Sequence, residues 1–330
     1  MADKSYKVVG IGNAVVDVLV NVDDSFLEKH GLTKGGMQLG DEQTAEQLYQ
    51  DMPAGIECSG GSVGNTVAAL GALGAKSGYI GKVAEDELGL VYAHDMKANG
   101  VTFATDRADG QMTTARSLVS VTPDAQRTMY TSLGAAITLS KDDIDTDQIA
   151  EAEVLLLEGY LFDSPQANEA CHIALPEARK HATKTAISLS DAGCVERHLE
   201  EFRQILDDGL DILFANEEEA KTLSGTGDVW SAIEWLKRDG LIAVVTRSEK
   251  GSIVVDGGQL TEVDAVKPAQ LEDTTGAGDM YAAGFLYGLT HGWPHADSGA
   301  LGARLAAEAI AHLGARPRKD IKPLLQQKAA

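Results

Sequence analysis

Short apolar runs recur along this chain at intervals that leave room for one helix between them. Tyr6–Ile11, Lys76–Ile80, Val154–Leu157, Thr185–Leu189, Ile212–Phe214 and Ile242–Thr246 all have strand length and an apolar character, and Thr66–Leu73 reads as helical. Strands apolar on both faces and separated by helices predict a mainly parallel sheet covered on both sides. No Pro-, Gly- or Ser-rich linker interrupts the series and no internal repeat is present, so residues 1–330 read as one principal domain. Other segments break the rhythm. Val15–Val22 continues the first strand with alternating polarity. Thr113–Val121 turns at Pro123-Asp124 and returns through Arg127–Thr131 as a hairpin with one dry face. Pooled as about 13–22, 36–40 and 110–132, they predict a small β-sheet flap; the alternative is that they are edge strands of the main sheet.

The formal net charge is −22 and the pI about 4.6, so the surface repels phosphate backbones and anionic lipids. Nucleic acid and membrane are therefore poor partners. A phosphate-bearing ligand would need local positive potential from backbone amides, a helix terminus and a metal. The cysteines Cys58, Cys171 and Cys194 are odd in number and form no CxxC pair, which suits a reducing cytosol. The N-terminal residues lack a signal-peptide h-region, and no apolar run approaches the ~18–20 residues of a membrane span, so a cytoplasmic location is expected, as monomer or homodimer.

The densest chemical signal is Glu272-Asp273-Thr274-Thr275-Gly276-Ala277-Gly278-Asp279, followed by a small, apolar helical run to Leu289. Amides of Gly276, Ala277 and Gly278 at a helix N-terminus form a concave anion site. Asp279 at its edge is placed to take a proton from a hydroxyl as a phosphoryl group arrives. An N-capped helix after a tight turn is the purely structural reading. Gly10-Ile11-Gly12-Asn13 looks like a dinucleotide loop, but Val15 takes the third glycine position and no helix follows, which removes a nicotinamide oxidoreductase. Asn13 and Asp17 instead suit sugar hydroxyls. Gly60-Gly61 lets a ligand approach the backbone, and Asn65 reaches into the same pocket from the first turns of a helix. Asn216 and Glu219 have capping-box spacing, and Glu219 also suits the hydrated magnesium of a nucleotide. Thr246-Arg247-Ser248-Glu249-Lys250-Gly251 is a polar loop with local positive charge, a candidate nucleotide contact. No Walker A, GxSxG or HExxH occurs, so phosphate binding falls to the 273–279 turn.

In this order, these segments resemble the PfkB/ribokinase family over nearly the whole chain. The match is closest to the adenosine kinase branch through Gly12-Asn13-Ala14 with Asp17, Gly60-Gly61-Ser62 with Asn65, and Gly159-Tyr160-Leu161-Phe162. The resemblance implies a ribokinase-like three-layer α/β/α domain with a small discontinuous β-sheet lid, and ATP-dependent phosphorylation of a primary hydroxyl on a sugar or nucleoside. Asp279 would be the base, with Gly276, Ala277 and Gly278 as the anion hole. Asn13, Asp17, Gly60, Gly61 and Asn65 would hold the sugar, and Asn216, Thr246, Arg247, Gly251 and Thr274 the nucleotide. Glu219 would serve Mg2+ through water. Asp273 and Thr275, with the stretch His312–Arg316, fall where relatives bind a monovalent cation such as K+. Two positions depart from the family pattern, Ala84 and Ser248, each where glycine is expected. Phe103, Met112, Met129 and Leu161 are apolar candidates for contact with a purine. Adenosine is the leading acceptor; alternatives are ribose, fructose or 2-keto-3-deoxygluconate, or a sensor without turnover. Asp279 argues against the sensor.

Overall fold

The computed structural model describes residues 4–108, 112–124 and 126–326; residues 110 and 111, at the start of the expected 110–132 flap segment, lie outside these. Among the described residues fourteen strands form two sheets. They are β1 Tyr6–Ile11, β2 Val15–Asn21, β3 Met37–Leu39, β4 Ile56–Ser59, β5 Ser77–Ile80, β6 Val101–Phe103, β7 Ala115–Val121, β8 Arg127–Ser132, β9 Ala152–Glu158, β10 Lys184–Ser188, β11 Ile212–Asn216, β12 Ile242–Thr246, β13 Ser252–Asp256 and β14 Gln259–Val263.

The central sheet has nine strands in the order β14-β13-β12-β11-β10-β9-β1-β5-β6. From β12 to β6 every neighbouring pair is parallel, while β13 and β14 join antiparallel. Alternate side chains enter two separate cores. Val8, Val154 and Val244 face one layer with helices Ser62–Leu73, Ala277–Thr290 and His295–Ala309, whereas Val9, Leu155 and Val245 face the other with Pro165–Lys180. Both faces are buried, which is why these strands read as unbroken apolar runs.

The flap segments, joined by β4 from outside the expected ranges, form their own five-stranded sheet, β3-β8-β7-β2-β4, rather than edges of the central one. Its register puts Asp17, Cys58, Ser117 and Thr131 on one row, Leu19, Val119 and Met129 on the next and Val121 with Arg127 beyond, all on one face. Leu19, Val119, Val121 and Met129 cluster there with Leu313 from the segment after the last helix. Among the described residues no helix is long and apolar enough to cross a membrane.

Candidate active site

Gly276 caps helix Ala277–Thr290 at φ 75°, and a Cβ there would stand 2.3 Å from the carbonyl oxygen of Ala315, so both conformation and space exclude a side chain. A Cβ on Gly278 would meet nothing within 4 Å. This turn faces a cavity of about 700 Å³ that is also lined by Asn216, Glu219, Thr246, Gly251, Thr274, Ala277 and Asp279, the expected nucleotide and anion residues. Helix-terminal amides have no intrahelical partner and carry partial positive charge. Val266, Pro268, Leu271, Ala303 and Ile310 give the cavity apolar lining.

Asp279 is held at both carboxylate oxygens. Ser62 Oγ donates to Oδ1 at 2.6 Å, Asn65 Nδ2 to Oδ2 at 2.9 Å, and Thr66 Oγ1 to its backbone carbonyl at 3.1 Å. Burial raises its pKa to about 6 against these hydrogen bonds. Asn65 bridges onward: its Oδ1 accepts from Arg316 Nε at 2.8 Å, and Arg316 Nη1 donates to Ser59 Oγ at 2.5 Å.

Asn13 is fixed from across the sheet. Its Nδ2 donates to Glu158 Oε1 at 3.0 Å, its backbone N–H to the same oxygen at 3.3 Å, and Val63 N–H to Glu158 Oε2 at 3.1 Å. Glu158 thus ties the end of β1 to the start of helix Ser62–Leu73, and burial lifts it to about pKa 7. Gly61, at φ 82°, leaves 2.2 Å between a would-be Cβ and the Asn13 carbonyl oxygen. Asp17 lies against Gly60, where a Cβ would come within 2.4 Å of its Oδ2. Burial pushes Asp17 to about pKa 7, opposed by the charges of Arg316 and Arg127.

Asn216 and Glu219 form the capping box their spacing predicts: Glu219 N–H donates to Asn216 Oδ1 at 2.9 Å, and Asn216 N–H to Glu219 Oε2 at 2.9 Å. Glu219 still borders the cavity, where burial and the neighbouring Asp191 and Asp279 lift its pKa to about 7. Lys267 is the one side-chain cation among the described lining residues, against Glu219, Glu249 and Asp279. Among the described residues these carboxylates do not converge into a metal-ligand cluster, and Glu219 is the one that would meet a hydrated divalent ion, through water.

Other expectations are corrected. Arg247 does not line the cavity; its guanidinium packs over Trp230 at 5.6 Å and points to Glu262 at 3.7 Å. Asp273 and Thr275 do not fit a monovalent cation in this arrangement, because a guanidinium takes the place. Arg127 from β8 donates to Asp273 Oδ2 at 2.5 Å and to Thr275 Oγ1, and Asp273 also accepts from the Thr275 and Gly314 N–H groups at 2.7 and 2.8 Å. Phe103, half-buried, packs with Tyr79 and Tyr92, and Leu161 is fully buried in the opposite core and closed to a ligand. Met129 lies in the small-sheet cluster, and Met112 packs on Ala84, Ala108 and Ala135. Ser248 takes φ 53°, the conformation that makes glycine the expected residue there, whereas Ala84 needs no positive φ.

Arg127 and Glu158 are not singled out by the sequence as site residues, while Ser62 enters there only within the Gly60-Gly61-Ser62 match and Arg316 only as the end of the stretch His312–Arg316. Glu158 did carry a signal, a carboxylate closing the apolar run Val154–Leu157.

A sequence profile described as pfkB family carbohydrate kinase matches residues 53–321. The 5-dehydro-2-deoxygluconokinase of Geobacillus kaustophilus (strain HTA426) is 30% identical over 81% of this chain and 82% of that enzyme. The adenosine kinase structure from Sinorhizobium meliloti is 45% identical with a TM-score of 0.89, covering 96% of this chain and 98% of that one. A probable sugar kinase from Rhizobium etli CFN 42 is 40% identical, also with a TM-score of 0.89, over 97% of each chain. The match in sequence and in both sheets makes this chain a phosphotransferase acting on an alcohol group, a sugar or nucleoside kinase, and it belongs to the pfkB family of carbohydrate kinases.

Proposed function

We propose that the chain transfers the γ-phosphoryl group of ATP to the 5′-hydroxyl of a ribonucleoside, with adenosine as the leading acceptor. The observation that carries the nucleoside reading is the inward face of the small sheet. Between Asp17 at one end and Arg127 at the other it is apolar, through Leu19, Val119, Val121 and Met129. In this arrangement that surface is buried, with Leu313 packed against it, so a flat base would reach it by displacing Leu313, while Asp17 and Asn13 suit adjacent ribose hydroxyls. A free polyhydroxy sugar would leave its own hydroxyls unpaired against it. The likeness to the S. meliloti adenosine kinase supports the same reading.

In this mechanism Asp279 takes the proton from the acceptor hydroxyl. Its oxygens each retain a lone pair beyond the bonds from Ser62 and Asn65, and those bonds fix the direction from which the hydroxyl approaches. Amides of Gly276, Ala277 and Gly278 meet charge on the transferring group, which needs positioning and electrostatics more than covalent help. The apolar lining at Val266 and Leu271 receives the adenine ring. Glu219 would hold magnesium through water, supplying charge neutralisation to the phosphates. Closing of the small sheet excludes water as a competing acceptor.

The test is ATP-dependent phosphorylation of adenosine, 2′-deoxyadenosine, guanosine, inosine, ribose, fructose, 2-keto-3-deoxygluconate and 5-dehydro-2-deoxygluconate. Adenosine should be the best acceptor and the deoxy analogue a poor one. Efficient keto-acid or fructose phosphorylation with no nucleoside turnover would leave a kinase and remove the nucleoside. The second reading, a keto-sugar-acid kinase, draws on the G. kaustophilus relative and on Arg127 and Arg316 as cations for a carboxylate.

A further inference from the structure

Arg316 follows the last helix and crosses to the start of helix Ser62–Leu73, a contact spanning 251 residues of sequence. We propose that Arg316 is a positioning residue for phosphoryl transfer: it selects the orientation of the Asn65 amide and supplies the positive charge between the acceptor-facing carboxylates. The inference rests on the kinase reading above.

The amide argument is one of donors and acceptors. Asn65 is buried, so each end of its amide needs a partner. Its Oδ1 receives Arg316 Nε–H at 2.8 Å, which leaves Nδ2 to donate to Asp279 Oδ2 at 2.9 Å. Rotating the amide by half a turn would set N–H against Nε–H and a carbonyl oxygen against the carboxylate. Arg316 makes the working orientation the lower in energy, and with it the geometry of Asp279. The guanidinium is itself held. Nη1 donates to Ser59 Oγ at 2.5 Å, and Ser59 donates through N and Oγ to Asp95 Oδ2 at 3.1 and 3.2 Å. A fork is needed, because Nε and Nη1 address two residues at once.

The charge argument follows from what surrounds it. Asp17 and Cys58 face it from the small sheet, Asp95 and Tyr92 from helix Glu87–Ala98, Tyr79 from β5, and Asp279 from helix Ala277–Thr290. Behind these stand Glu158 beside Asp279, and Arg127 and Asp273 beside Asp17. Arg127 is paired to Asp273, so Arg316 is the cation in contact with the chain of groups that ends at Asp279. A positive charge there favours the ionised carboxylates; without it each keeps its proton to higher pH.

The experiment compares wild type with Arg316→Met and Arg316→Lys, measuring kcat and KM for both substrates across about pH 5 to 9, with circular dichroism and thermal melts as fold controls. Arg316→Met should lower kcat by about 10²-fold through misplacement of the base, leave KM for ATP unchanged, and move the acid limb of kcat to higher pH. Arg316→Lys keeps the charge and loses the fork, so kcat falls while the limb stays in place. A folded Arg316→Met with wild-type kcat and an unmoved limb overturns the proposal, as does a defect confined to KM for ATP. If Arg316→Met does not fold, Arg316→Lys decides: wild-type kcat there overturns it equally. A wild-type protein that phosphorylates no alcohol defeats the kinase reading and this inference together, whereas a fully active Asp279→Asn defeats the base assignment and this inference but leaves a kinase. An inactive Asp279→Asn beside an unimpaired Arg316→Met defeats this inference alone.

Discussion

Replacing Asp279 by Asn separates what the carboxylate does for chemistry from what it costs the fold. Burial raises its pKa from 3.8 to about 6, roughly 3 kcal/mol against the ionised form before discounting for cavity water. The amide removes that burden. It also introduces a conflict, because one of its ends must be NH2 while both Ser62 Oγ and Asn65 Nδ2 now donate to this side chain. Ser62 can rotate its hydroxyl to accept. Asn65 cannot reverse without turning its other end against Arg316, so the new amide must present oxygen to Asn65. With that orientation the hydrogen bonds weaken from charged to neutral, a loss of about 1 kcal/mol or somewhat more. The difference favours the variant by up to about 2 kcal/mol near neutral pH, and by less once cavity water is discounted. Its melting temperature should therefore equal or exceed that of wild type, and ATP binding by calorimetry should persist. Turnover should fall by at least ~10²–10⁴-fold, the usual loss with a general base. A variant that keeps near wild-type kcat on its best acceptor refutes the base assignment; one that melts far lower refutes the energetic reasoning.

Three further outcomes are expected. Glu219→Gln should raise the magnesium requirement and cost ~0.5–2 kcal/mol of stability, because its amide opposes one of the two N–H donors of Asn216; an unaltered magnesium titration refutes the metal role and leaves the cap. Asp17, Glu158, Glu219 and Asp279 all have folded-state pKa values above the ordinary 3.8 to 4.5, at about 6 to 7. Between those limits the folded state binds more protons than the unfolded one, so their contribution to stability declines as pH rises through that window. Ligand-free protein should accordingly melt higher at about pH 6 than at about pH 8, and the reverse order contradicts the assignment. Ser248→Gly should raise the unfolding free energy by up to about 1 kcal/mol by relieving a serine at φ 53°; an equal loss on urea denaturation would show that its side chain, not its backbone, matters there.

Much of this arrangement was legible because its determinants are local. Asn216 and Glu219 sit three residues apart and close a capping box by spacing alone; Gly276 is demanded by a turn whose neighbours are adjacent in sequence. β9 to β12 were readable because strands buried on both faces are continuous apolar runs. What stayed hidden depends on partners far along the chain. Glu158 looks like a surface carboxylate until β9 is laid beside β1 and its partners 145 and 95 residues away come into reach. Nothing in the local sequence of Arg127 pairs it with Asp273, so a cation was expected where a guanidinium lies. Phe103 and Leu161 show the same limit for apolar residues, since a core contact and a ligand contact ask for the same side chain. β4 and β14 are short or half-polar and carried no comparable signal, whereas β13 is as apolar as β12 and was readable but not read.

The way the two sheets share the chain bears on biosynthesis. All five strands of the small sheet lie before residue 133, whereas β9 to β14 and both C-terminal helices come later. A nascent chain emerging from the ribosome would thus own every strand of the flap while β1 still lacked its β9 neighbour. Ser62 must wait for Asp279, 217 residues on, and Asn65 for Arg316. A chain released after β14 but before Asp279 would contain all fourteen strands of the described residues and no working centre. Ligand capture then reports that synthesis has passed Arg316 and that the distant segments have come together.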